Sequence, residues 1–403
     1  MINLMIYDYK GSDYLKPYLL RAIKIFCFVL LVAVCVGFLQ EYVLCHADHN
    51  RERLKGFYQE DKDSLDVVYM GASDVYSDVA PGYAYRRDGI TSYIFATQAN
   101  SILNYKSQLK NVLSRQKDAI IVVELNGALY DTDEDMVKEA NLRNYGDNVP
   151  LDAIKLGWIA QNVPENKLEY LFPIMKYHSV WSTLEDEQNM RDTVITDQKR
   201  GYDYLKGILN WTLSFQSPEP SLNSKLAANA EKRQPLCPGQ EEELRNLLEF
   251  CRREGMKNIV FARFPHIVTE KTYDRYERSN TIGDIVEEYG FEYLNLERDY
   301  AKLGLDETKD FYNLDHLNYK GQQKLTTYLV DYLKQNYGLE AHTLNGAQKY
   351  EWKKAADYYD AYCSYSQSLM DNNEAVELYE ENGLIEKLEE HLPTEAASTD
   401  TNQ

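Results

Sequence analysis

The sequence predicts an α/β protein: a doubly wound parallel sheet, carried behind one N-terminal membrane helix and interrupted by a helical insertion. Two patterns lead there. Short apolar runs end on turn residues and alternate with helix-length amphipathic stretches, and one long segment near the N-terminus holds no charge. A strand covered on both faces reads as a continuous apolar run, and strands separated by helices make βαβ units.

The uncharged segment comes first. Residues 25–39, IFCFVLLVAVCVGFL, contain no charged side chain, and residues 22–45 together exceed the roughly 20 residues that cross a bilayer. Lys10, Lys16, Arg21 and Lys24 precede the run and no Lys or Arg follows it before Arg51, so the positive-inside bias places the N-terminus in the cytoplasm. A cleaved signal peptide is the rival reading, but no A-x-A-like site follows Leu39. The expectation is a cytoplasmic segment at 1–21, a signal anchor in the cell membrane at 22–45, a polar stalk at 46–64 and an extracellular domain beyond.

That domain spans 65–339. LDVVYM at 65–70, stopped by Gly71, predicts the first strand, and AIIVVEL at 119–125 the second, after a helix over 101–115. NIVFA at 258–262 follows a helix over about 240–254, and FEYLN at 291–295 follows a helix ending near Tyr289. Between 130 and 235 the pattern is less regular and carries Trp158, Trp181 and Trp211, which predicts a largely helical insertion serving as a lid or a partner surface. Residues 341–403 hold 13 acidic and 4 basic side chains, a net −9 against −20 for all 403 residues, so 340–403 reads as an acidic tail with a helix at 373–391 and a disordered end.

Charge and motifs exclude several functions. A net charge of −20 argues against nucleic acid as the main partner. Zinc-peptidase, P-loop and dinucleotide motifs are absent, so neither metal nor cofactor is expected. Of six cysteines, Cys237, Cys251 and Cys363 lie in the exported part; they form at most one disulfide, with Cys237 and Cys251 nearest in sequence, or stay free thiols.

Ligands of open parallel sheets gather beyond the carboxyl ends of the strands, and two segments bring chemistry there. In Gly71-Ala72-Ser73-Asp74, a serine stands on the turn between the first strand and a helix. It can serve as a nucleophile with helix N–H groups around it, or as an ordinary helix cap. In FYNLDHLNYKG at 311–321, His316 precedes the last helix of the domain. It can accept the serine proton if the fold returns it to the same edge, with Asp315 or Asn313 orienting the ring and Asp310 farther off. Arg263 and His266 follow the third of these strands, where Arg263 can grip an anion or form a structural ion pair.

The pairing of GASDVY with DHLNYKG resembles the SGNH/GDSL hydrolase-like superfamily. More narrowly it resembles the membrane-anchored proteins of that type in bacterial cell-envelope gene clusters, related to DltD-like D-alanine transfer proteins. The likeness covers about 66–338 and is most specific at its two ends. It implies a flavodoxin-like, SGNH-type sheet, with Ser73 as nucleophile and oxyanion donor and His316 as general base. Residues 89–97 resemble the strand and turn that supply a glycine N–H to the oxyanion hole, here at Ala96, and Asn126 falls at the asparagine position after the second predicted strand. Asn313 stands where the family usually has its acid, three residues before the histidine. Tyr177-His178-Ser179-Val180-Trp181 resembles a string of this branch, which implies a substrate or partner contact at His178, with packing of Tyr177 and Trp181 as the alternative. The implied function is O-acyl transfer onto a cell-envelope polysaccharide or teichoic-acid-type acceptor, alongside a membrane-bound O-acyltransferase. A catalytically weak scaffold subunit and a simple carbohydrate esterase are the alternatives.

Overall fold

The computed structural model describes residues 12–40, 49–183, 204–376 and 384–392. The chain divides into two compact units. One comprises 1–47 and 171–197; the other comprises 48–170 and 198–403.

The first unit contains helix α1, Ser12–Phe38. Within it, the 22 residues Pro17–Phe38 are long and apolar enough to span a membrane, and none of their most hydropathic window is buried in protein. This apolar stretch begins ahead of the expected residue 22, and 41–45 lie outside the described residues. Short helices at Ile174–Tyr177 and His178–Thr183 belong to the same unit.

The second unit is built on five strands: β1 Val67–Gly71, β2 Ser92–Ala96, β3 Ile120–Glu124, β4 Ile259–Arg263 and β5 Tyr293–Asn295. All are parallel, in the order β2-β1-β3-β4-β5. Every strand residue is buried, which is why four of the five read as apolar runs. Gly71 pairs with Ala96, Met70 with Val123, and Val123 with Phe261, so the carboxyl ends of the central strands lie side by side. The order reverses between β1 and β3, where a crevice is expected at the strand ends.

Around the sheet lie α2 His49–Gln59, α3 Ser73–Asp78, α4 Pro81–Asp88, α5 Ile102–Arg115, α6 Pro238–Arg253, α7 Tyr273–Glu288, α8 Tyr319–Tyr337 and α9 Gly346–Asp371. Shorter helical turns occupy the insertion. Local chemistry fixes the ends: Ser101 accepts from the Leu103 N–H to cap α5, and Asn318 accepts from the Lys320 and Gly321 N–H groups to cap α8. Gly71 is required by packing, since a Cβ there would stand 2.6 Å from Val75 Cγ2 and 2.9 Å from Glu124 Cβ.

Two regions differ from expectation. The polar stalk is instead partly α2, packed on β2. Leu54 and Phe57 are fully buried, and Arg53 is buried with its Nε donating to the Gly207 carbonyl at 2.7 Å. Charged residues around two apolar ones hid an amphipathic helix. The acidic tail likewise opens with α9, 26 residues long, whose buried face holds Trp352, Ala355, Tyr359 and Tyr362. It packs on α4, where Gly82 lets Tyr359 approach. Tyr rings supply its apolar stripe, and the acidic residues occupy the wet face. The predicted helix at 373–391 falls partly outside the described residues; Leu384–Glu389 is helical.

Candidate active site

β1 stops at Gly71 and the chain turns through Ala72 into α3, making Ser73 the first helical residue. Ala72 offers no side-chain cap, the Val75 N–H donates to the Ala72 carbonyl at 3.2 Å, and Ser73 is partly buried.

His316 lies in a loop pinched shut by an antiparallel bridge between Phe311 and Leu317. The Leu317 N–H donates to Asp78 Oδ1 at 2.8 Å, tying this loop to α3. The imidazole stacks on Tyr312 with ring centroids 5.3 Å apart and 9° between planes. Its Nδ1 is 3.0 Å from Asn313 Oδ1, which also accepts the Asp315 N–H at 2.8 Å. An amide oxygen can only accept, so Nδ1 carries the ring proton and Nε2 presents a lone pair. Nε2 is buried without a hydrogen-bond partner. Burial holds the ring below its ordinary pKa, against the opposing pull of Asp74 and Asp315, so His316 is neutral. Between the two orienting candidates, Asn313 contacts the ring; Asp315 contributes its N–H to Asn313.

The fold returns His316 to the strand edge that carries Ser73 by way of Asp74. The residue after the serine, Asp74, places Oδ1 3.7 Å from His316 Nε2 and 3.3 Å from His266 Nε2. Behind it lies a buried ionic cluster drawn from four strand ends. His266 Nδ1 lies 2.9 Å from Glu297 Oε1, and Arg263 donates from Nε to the same oxygen at 3.0 Å. Arg263 also stands 3.5 Å from Glu124 Oε1.

The protonation pattern follows. Burial and Arg263 oppose charge on His266, but its bonds to Asp74 and Glu297 prevail and push it up to about 10. Burial would raise Asp74 and Glu297, yet His266 holds Asp74 well below the carboxylate range, and Arg263 with His266 lowers Glu297. Glu124 goes the other way: burial and then Asp74 push it up to about 8. Burial and Asp74 also raise Asp78. At neutral pH two anions therefore face two cations, the balance that buried charge requires.

Three sequence-predicted residues need correction or relocation. Ala96 was expected to donate its N–H to an oxyanion. However, Thr97 N donates to the Gly71 carbonyl toward β1, so the preceding residue faces the other way, and the Ala96 carbonyl accepts from Arg53 on the outer edge. Alternation along an edge strand aims its N–H there too. The left-handed residue of this turn is Ala99, with φ 45°. Arg263 was a candidate for gripping an anionic substrate; it is 2 % exposed and its guanidinium is committed to Glu297, Glu124 and Asn126. His178 is exposed, bonds the Met175 carbonyl through Nδ1, and belongs to the first unit; the Trp181 side chain lies outside the described residues.

Asn126 sits at the site edge after β3. Arg263 donates to its Oδ1 at 2.7 Å, which fixes the amide so that Nδ2 is the donor end. Cys237, Cys251 and Cys363 are free, with burial pushing Cys251 up to about 12. Among the described residues no cluster of His, Cys, Asp or Glu could hold a metal ion.

Asp74, Glu124 and Glu297 were not singled out from sequence. Glu124 did leave a trace, an acid closing an otherwise apolar strand. Compared with known proteins, the chain matches no family model and no curated protein.

Proposed function

We propose that this protein is a membrane-anchored, SGNH-type serine acyltransferase working outside the membrane on a cell-envelope polysaccharide or teichoic-acid-type acceptor. The observation that carries the reading is a neutral His316 whose bare, buried Nε2 sits at the strand edge that also presents Ser73. The strand order, with its reversal between β1 and β3, supports a doubly wound SGNH-type sheet.

Ser73 Oγ attacks an acyl carbonyl while His316 Nε2 takes its proton. The oxyanion is held by the Ser73 N–H and, from the β3 side, by Asn126 Nδ2. The tetrahedral adduct collapses, and the departing group leaves with the proton from His316. A glycan hydroxyl then gives its proton to His316 and attacks the acyl-serine, and this second adduct collapses with loss of Ser73 Oγ, which recovers the proton from His316; water in its place makes the reaction an esterase. The basic flank of α1 supports a cytoplasmic N-terminus, and the topology suits a membrane-bound O-acyltransferase as the source of acyl groups.

A fluorophosphonate probe tests this. Covalent labelling of wild type, lost in Ser73→Ala and strongly slowed in His316→Ala, is the expected result; folded wild type that stays unlabelled overturns it. The second reading, a scaffold subunit with weak or no catalysis, is favoured by Asn313, since an amide stabilises imidazolium less than a carboxylate does.

A further inference from the structure

An imidazole that takes a proton becomes a cation, and serine enzymes hold that cation with a carboxylate on the far ring nitrogen. Here the far nitrogen faces an uncharged amide, Asn313 Oδ1 at 3.0 Å. The charged groups around the ring are few: Asp74 and Asp78 from α3, His266 from the segment after β4, and Asp315 from its own loop. Burial and Asp74 disfavour charge on Asp78, and His266 is a cation. Asp315 is partly exposed. Asp74 alone is an anion, fully buried, and within 4 Å of the ring.

We infer that Asp74 is the positioning carboxylate of this site: it stabilises protonated His316 from the Nε2 side, in place of the acid absent from position 313. The inference rests on the serine–histidine reading above. The geometry suits the task in two ways. At 3.7 Å, Oδ1 lies beyond hydrogen-bond length but inside ion-pair range, so the carboxylate lowers the energy of the charged ring without capturing the proton meant for the leaving group. Its partner His266, 3.3 Å away, keeps Asp74 ionised inside the protein, and Glu297 and Arg263 hold His266 in turn.

The test uses the full chain in detergent micelles, with His316 followed by histidine-selective NMR and Ser73 by fluorophosphonate labelling rate against pH. Asp74 favours the charged ring, so Asp74→Asn should lower the His316 pKa, move the acid limb of the labelling profile down by about one pH unit, and slow labelling by roughly 10²-fold. Asn313→Asp supplies a second acid. It should speed wild type by no more than about threefold, yet recover most of the rate in the Asp74→Asn background, since either carboxylate serves. An unmoved His316 titration in folded Asp74→Asn overturns the inference while leaving the serine reading intact; unlabelled wild type sinks that reading instead. If Asp74→Asn does not fold, Asn313→Asp alone decides: a gain of 10²-fold or more means that Asp74 supplied nothing.

Discussion

The two ends of the sheet solve the same problem differently. At the amino end, strand-entry polar groups are satisfied by neutral or rim contacts: Gln116 Oε1 accepts the Ser64 and Leu65 N–H groups, and Asp66 accepts the Thr91 N–H and meets the part-exposed His342. At the carboxyl end, Asp74, Glu124, Arg263, His266 and Glu297 are all at most 4 % exposed. Apolar residues in their place would serve stability at least as well, because desolvating charges costs about what their pairing returns. Charge is therefore concentrated at one end, the end where the proposed chemistry of Ser73 and His316 would take place.

Mutations can break this contrast. The largest effect should come from Arg263→Met, which strips the cation from Glu297 and Glu124 and should cost about 3–5 kcal/mol in urea unfolding; a loss under about 1 kcal/mol would mean that the cluster is not tightly balanced. Ile121→Ala, 1 % exposed in the apolar body of β3, should cost about 3 kcal/mol. That loss should be flat between pH 5 and 9, whereas a pH-dependent loss would show that the two regions are coupled.

Glu124→Gln should sharpen the contrast by stabilising the protein. A carboxyl raised in the fold gives full stability below its ordinary pKa and loses it as pH climbs through the folded value, here about 8. Wild type therefore weakens between pH 4.5 and 8 while the amide does not. The variant's advantage should grow to on the order of 4 kcal/mol by pH 8 and then level off. Melting curves of both proteins at pH 5, 6.5 and 8 read it, and a constant gap would reject the raised Glu124. The smallest effect belongs to an exposed pair: Lys334→Ala, which breaks the 2.6 Å contact with Asp88, should change stability by no more than about 0.5 kcal/mol and less in high salt.

Much of the frame was legible from run length and composition. The runs ending at Met70, Leu125, Ala262 and Asn295 are strands because buried strands must be apolar throughout. Ser92–Ala96 was legible only through family likeness, because Thr91, Ser92 and Thr97 break up its apolar run. α2 and α9 were hidden because burial on one face is masked by charge on the other, and Tyr does apolar work under a polar label.

Residue identity determined the long apolar N-terminal helix, the parallel α/β layering and the two segments that carry Ser73 and His316, since these depend on hydropathy and turn chemistry within a few neighbours. Which groups stand together was decided by the tertiary structure alone. Asn313 rather than Asp315 on the imidazole, Arg263 turned inward, the Ala96 N–H turned outward, and Asp74 between two histidines 50 residues apart all follow from strand register and loop closure. Distance and desolvation, which set the charge on each group, exist only once the chain has brought those ends together.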